Sequence, residues 1–145
     1  MQGKKYKLSR LETIDEKTCA VIERLHNLCL PDDEVLSPRE GGYWWIAKYQ
    51  DEIVGFCAFR PSTRWIDTGY LWRSGVVRAH RGHGLQKRMI KVREQFARKI
   101  GMVFMITDTN DNPTSANNLI KCGYTMYTPS WPYAAETTCY WRKRL

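Results

Sequence analysis

The sequence predicts a mixed α/β (α+β) fold in a single domain spanning residues 1–145, and three observations carry that prediction. A chain of 145 residues, 43% apolar and 26% charged, is long enough to bury one ordinary hydrophobic core. Two apolar, aromatic and β-branched runs, GYWWIAKY (42–49) and EIVGFCAFR (52–60), flank Gln50-Asp51 in the manner of an antiparallel hairpin. Finally, an apolar strand end at Val76-Val77 passes through a glycine-containing turn into a segment of helical periodicity.

Taken in order, residues 3–11 read as a first strand carrying Lys4, Lys5 and Lys7. Thr13-Ile14-Asp15-Glu16 has the T-x-x-E form of a capping box, and Ile14, Val21, Ile22, Leu25, Leu28 and Cys29 keep helical spacing to about Leu30, where Pro31 stops the helix. Pro31–Gly42 reads as a loop with room for one helical turn. After the hairpin and a loop at Pro61–Thr68, Gly69–Val77 forms a central strand in which Gly75 marks a bulge. Leu85, Met89, Val92 and Phe96 then make the apolar stripe of a helix whose opposite face is charged. Met102–Thr107 is a strand and Asp108–Asp111 a turn. Asn112 caps a short helix with Pro113 at its first position, and Gly123 ends it. Tyr124–Thr128 and Thr137–Arg142 supply two last strands around the aromatic loop PSWPYAAE.

Charge narrows the function. The chain carries a net +8, and residues 76–101 alone hold eight Lys or Arg against one acid, Glu94. Positive charge thus gathers at a helix start, where unpaired N–H groups and the helix dipole already favour an anion. A phosphate ligand follows. A P-loop is excluded, because no G-x-x-x-x-G-K-[ST] run exists, and Gly82-His83-Gly84 gives only the first half of a dinucleotide fingerprint. No run approaches the ~20 apolar residues of a membrane span. The N-terminus lacks an apolar signal core, so a cytoplasmic location is expected. Five scattered cysteines without a CxxC pair, and three histidines without an i, i+4 pair, indicate neither a disulfide framework nor a metal site.

Arg81-Gly82-His83-Gly84-Leu85-Gln86, after an apolar strand and before a helix, resembles the pyrophosphate motif of the GNAT superfamily of acyl-CoA-dependent N-acetyltransferases. Arg81 and Gly84 match its pattern, and Gln86 departs from the Gly or Ala of its last position. A second stretch, Asn112 through Tyr124 (NPTSANNLIKCGY), resembles the family's later N-x-x-[SA]…G-[FY] segment in the right order and separation. The resemblance implies a GNAT fold: a central, mostly antiparallel sheet of six or seven strands, its middle strands splayed and flanked by helices. It implies acetyl-CoA as co-substrate, with the phosphates on Arg81, Gly82, His83, Gly84, Leu85, Gln86 and Lys87. The pantetheine arm would run along Ser74, Gly75 and Val76, with Asn112 and Ser115 as further contacts. It also makes Pro31–Gly42 a candidate substrate lid.

Amine acetylation needs a neutral amine, a polarised thioester oxygen and a proton for the leaving thiolate. By resemblance the backbone N–H near Val76 polarises the oxygen. The family's usual acid, a Tyr four residues before the helix-ending Gly, is here Leu119, which leaves Tyr124, Ser115, Tyr127 or solvent. The carboxylate nearest the usual base position, by Tyr70, is Asp67, and His80 flanks the phosphate turn. Trp131 and Tyr133 would border the acceptor, an unidentified amine. The expectation is therefore an acetyl-CoA-dependent N-acetyltransferase, a monomer or homodimer, with neither a membrane nor a nucleic-acid partner. A catalytically poor acetyl-CoA-binding relative and a basic nucleic-acid-binding module are the alternatives.

Overall fold

A computed structural model describes residues 5–145. Lys4, in the expected first strand, lies outside the described residues. The strands form one seven-stranded sheet in the order β1-β2-β3-β4-β5-β7-β6. The pairs β1–β2, β2–β3, β5–β7 and β6–β7 are antiparallel and β4–β5 is parallel. The chain divides into two compact units. One takes the residues up to Phe59 together with Trp72–Met89, and the other takes Arg60–Leu71 with Ile90–Leu145.

In the first unit, strand β1 (Tyr6–Arg10) pairs with β2 (Tyr43–Tyr49), from Tyr6 opposite Tyr49 to Arg10 opposite Trp45. Strand β3 (Glu52–Pro61) returns through Gln50, whose φ of 56° closes the tight turn. Helix α1 (Glu16–Cys29) lays Ile22 and Leu25 on Trp44, Ile46, Phe56 and Ala58, all at most 6% exposed. Side chains of this kind each contribute about 1.5–3 kcal/mol on burial. The expected Thr13 cap is instead Asp15, which accepts from the Thr18 N–H at 2.8 Å. A carboxylate is the stronger acceptor at that place. Ile14 and Leu28 are 65% and 67% exposed, so the apolar face runs through Cys19, Ile22, Leu25 and His26. The expected turn inside Pro31–Gly42 is a 3-10 turn, Pro38–Glu40. It starts with a capping box in which Ser37 and Glu40 bond reciprocally.

In the second unit, strand β5 (Phe104–Thr109) is paired on both sides, by the first residues of β4 (Thr68–Val76) and by β7 (Cys139–Arg144). The short β6 (Thr125–Tyr127) completes it. A parallel pair needs a crossover, and helix α2 (Leu85–Lys99) lies in the chain between β4 and β5. Strand β5 starts and ends two residues later than expected, because Asp108 and Thr109 pair with Tyr140 and Cys139. This carries Asp108 out of the expected turn. Helix α3 (Pro113–Lys121) has its cap and stop where the sequence set them: Asn112 accepts from the Ser115 N–H, and Gly123 follows at φ 93°.

Helix α2 corrects the charge pattern. Its buried positions are Leu85, Met89, Ile90, Arg93, Glu94 and Ala97, whereas Val92 and Phe96 are only half-buried. Glu94 is 3% exposed and is matched by the Tyr124 hydroxyl at 2.7 Å and Lys143 Nζ at 3.1 Å. An unpaired charge at that depth would be prohibitive. Among the described residues, no helix is long and apolar enough to cross a membrane.

Candidate active site

The first unit holds the turn. Strand β4 ends at Val76, a 3-10 turn follows at Arg78–His80, and Gly82 and Gly84 take φ of 81° and 78° before α2 begins at Leu85. A Cβ on either glycine would meet nothing within 4 Å, so the demand is on the dihedral and not on space. The Gly84 carbonyl accepts from the Arg88 N–H at 3.1 Å, which makes it the first acceptor of α2. The N–H groups of Leu85, Gln86 and Lys87 in that first turn have no intrahelical acceptor, and no acid stands there to occupy them. Leu85 turns its side chain into the core at 2% exposure. Gln86 therefore departs from the motif without disturbing the apolar packing; its side chain is half-buried.

Arg81 braces the turn: its Nε donates to the Val76 carbonyl at 2.9 Å, tying the turn back to the strand that delivers it. Arg88 donates to the Tyr6 carbonyl at 3.2 Å, and the Tyr6 hydroxyl lies 2.9 Å from His80 Nδ1. The rings of His80 and His83 lie 5.6 and 5.8 Å from that of Tyr6. His80 is thus engaged beside the glycine turn.

Strand β4 changes character along its length. Its ladder with β5 runs from Thr68–Phe104 to Tyr70–Ile106. At the next step the Thr107 hydroxyl donates to the Leu71 carbonyl at 3.0 Å, so a side chain reaches the carbonyl where the ladder stops. On the other side the Val77 N–H donates to the Val54 carbonyl, holding the strand end to β3. A Cβ on Gly75 would lie 2.7 Å from Cys29 Cβ and 2.9 Å from the Phe56 ring. Trp72 packs against the same Phe56-containing cluster. Ser74 is half-buried, and Gly75 and Val76 are buried.

The second unit holds a different chemistry. The Tyr70 hydroxyl donates to Asp108 Oδ2 at 2.5 Å, joining β4 to β5. Arg60 lies 5.4 Å over the Tyr70 ring. Tyr133 packs edge-on to Tyr70, Trp65 and Tyr140, with centroids 6.2, 6.3 and 4.9 Å away. Burial, then the Asp108 charge, pushes the ionisation of its hydroxyl far above the usual phenol range. Sequence reasoning missed Asp108 by assigning it to a turn; the one available signal was its position two residues past a buried apolar run.

The three catalytic candidates taken from the sequence serve three separate local structures. Tyr124 is 3% exposed and donates to Glu94; burial, then that carboxylate, drives its ionisation far upward. Ser115 lies in the first turn of α3, where its N–H donates to Asn112 Oδ1 at 3.1 Å. Asn112 itself is exposed and keeps its amide nitrogen for another partner. Asp67 is an exposed residue at φ 53° whose carbonyl accepts from Val103 and Phe104. It stands nine residues before Val76, roughly 30 Å along an extended strand. Leu119, at 4% exposure, is a packing residue.

Comparison with known proteins agrees with these features. Among curated proteins no relative matches the chain. Among solved structures, an acetyltransferase from Bacillus subtilis in complex with CoA aligns at a TM-score of 0.75 and 15% identity, covering 97% of this chain and 99% of that one. YncA of Salmonella typhimurium, solved with its cofactor acetyl-CoA, aligns at 0.72 and 15%, covering 94% and 93%. A ribosomal-protein-alanine N-acetyltransferase from Brucella melitensis aligns at 0.74 and 13%, covering 96% and 99%. At such identities these likenesses show the fold. The family model described as the acetyltransferase (GNAT) family matches residues 9–124, from β1 to the residue before β6 and through Gly82 and Gly84. With that much of the chain matched, this protein belongs to the GNAT family of acetyltransferases.

Proposed function

We propose that this acetyltransferase moves the acetyl group of acetyl-CoA directly to an amine, and that the N–H groups opening α2 hold the carrier's diphosphate. The observation that supports this most is the pair of positive-φ glycines leading into an acid-free helix start, braced by Arg81. Backbone donors aimed at an anion need no side chain, so Gln86 is compatible with the site. The part of β4 at Ser74–Val76, beyond its ladder with β5, offers an extended edge for the pantetheine amides. The bonds change as follows: the amine nitrogen attacks the thioester carbon, the C–N bond forms, the C–S bond breaks, and the thiol and amide leave.

Solvent takes up the proton released from the amine. Solvent protonates the thiolate, since Leu119 is apolar and Tyr124 is tied to Glu94. Five free cysteines support a reducing, cytoplasmic setting. Calorimetric titration with acetyl-CoA tests the cofactor half: micromolar binding is expected, and none would overturn it. Thiol release with a panel of amines tests the transfer.

A further inference from the structure

We propose that the second unit carries a docking surface for another protein, whose contacting segment bears apolar side chains flanked by carboxylates. The surface lies at the end of the sheet where β5 begins, and four apolar residues meet water there. Ile66 is 88% exposed, and Ile100, Val103 and Phe104 are 40%, 37% and 42% exposed. Local bonds bring them together. The Asp67 carbonyl accepts from the N–H groups of Val103 and Phe104 at 2.7 and 3.1 Å, which sets Ile66 beside both. Ile100 follows the last residue of α2, where the Met102 N–H folds back to the Ala97 carbonyl at 2.9 Å and turns the chain toward β5. Singly scattered apolar residues are ordinary on a surface, whereas a contiguous group marks a contact site.

Cations border the patch. Arg98 and Lys99 end α2 immediately before Ile100, and Arg144 stands opposite Phe104 in the β5–β7 register, on the same face of the sheet. All three are exposed. The described ion pairs, which join Arg39 to Glu16 and Glu23, Arg73 to Asp33 and Lys143 to Glu94, use none of them. Across residues 66–67, 98–104 and 144 the acid is Asp67 alone, against these three cations. Charge and relief then decide between occupants. A second copy meeting this surface with its own equivalent would set the same cations against each other. A bilayer takes apolar chains to a depth of about 5–10 Å, and Ile66 alone stands out so far from its neighbours, since the other three are more than half covered. A nucleic acid would meet the cations but would find Phe104 as the single ring to stack on. A protein segment with apolar side chains between carboxylates answers both halves of the surface.

The test is fluorescence anisotropy of three labelled helical peptides titrated with the full chain. One has leucine along one face and glutamate along the other, the second has lysine for glutamate, and the third has serine for leucine. The leucine–glutamate peptide is expected to bind saturably, at least tenfold tighter than either control, and more weakly as salt rises. Ile66→Ser, at an exposed position, and the double variant Arg98→Gln with Lys99→Gln are each expected to weaken it at least tenfold, with the wild-type melting temperature. No binding, equal binding of all three peptides, or full affinity retained in both variants overturns the proposal. So does tighter binding to phosphatidylglycerol vesicles or to a single-stranded oligonucleotide than to the leucine–glutamate peptide. The titration needs no acetyl-CoA, so it stands whether or not transfer is observed.

Discussion

Tyr70 and Asp108, 38 positions apart, share a 2.5 Å hydrogen bond one step before Thr107 caps the Leu71 carbonyl and the β4–β5 ladder ends. The bond joins the two strands of the parallel pair just past the last register position, Tyr70 opposite Ile106, so a carboxylate stands where the strands stop pairing.

The bond is tested by its contribution to stability. Tyr70→Phe removes the donor from the carboxylate, and about 1.5–3 kcal/mol of stability is expected to go with it in a denaturant melt. Asp108→Asn keeps the shape and a weaker hydrogen bond to Tyr70, so its loss should be smaller. Equal stability of Tyr70→Phe and wild type would show that the bond contributes nothing to the fold.

Gly84 is the cleanest probe of the proposed diphosphate site. Its φ of 78° costs an L-residue about 1–2 kcal/mol, and the empty space around it rules out a steric explanation. Gly84→Val should weaken acetyl-CoA binding at least tenfold by calorimetry while circular dichroism stays that of the folded chain.

Tyr124→Phe separates structure from catalysis. The variant loses a hydrogen bond to a buried charge, for which about 1.5–3 kcal/mol of stability is expected. Its kcat per folded molecule should stay at the wild-type value, because the hydroxyl serves Glu94. A large fall in kcat would return Tyr124 to the reaction.

His26 sets a pH dependence of stability. It is fully buried, stacks on Phe56 at 5.8 Å, and has both ring nitrogens unbonded. Burial, and then Arg73, pushes its pKa below the ordinary 6.5, against smaller opposing effects of Asp33 and Glu40. The unfolded chain therefore binds the proton more readily than the folded one. The full contribution is present above pH 6.5, and stability falls as the pH drops below it, by at most ~1.4 kcal/mol per pH unit. Melting curves between pH 7.5 and 5.5 should show this slope, and His26→Phe should flatten it.

The hairpin, the glycine turn and the Asn112–Gly123 helix were legible because each is written in neighbouring residues: turn dihedrals, a cap, a stop. Element edges and faces were less so. Thr13 yielded to Asp15 as the cap of α1, and Val92 and Phe96 yielded to Ile90, Arg93 and Glu94 as the buried side of α2. A charged pair on a helix reads as solvated until partners from distant strands neutralise it, as Tyr124 and Lys143 do for Glu94.

By itself the sequence determined the glycine turn and its charge, since positive φ at Gly82 and Gly84 and the charge around α2 are local properties that hold wherever the segment lies. Only the tertiary structure decided which carboxylate stands beside Tyr70. The pairing of β5 with β7 draws Asp108 into a strand, and the parallel register of β4 and β5 sets it against the Tyr70 hydroxyl. Side chains that meet across a parallel pair are separated by an entire crossover helix, and no spacing rule along the chain encodes which of them will touch.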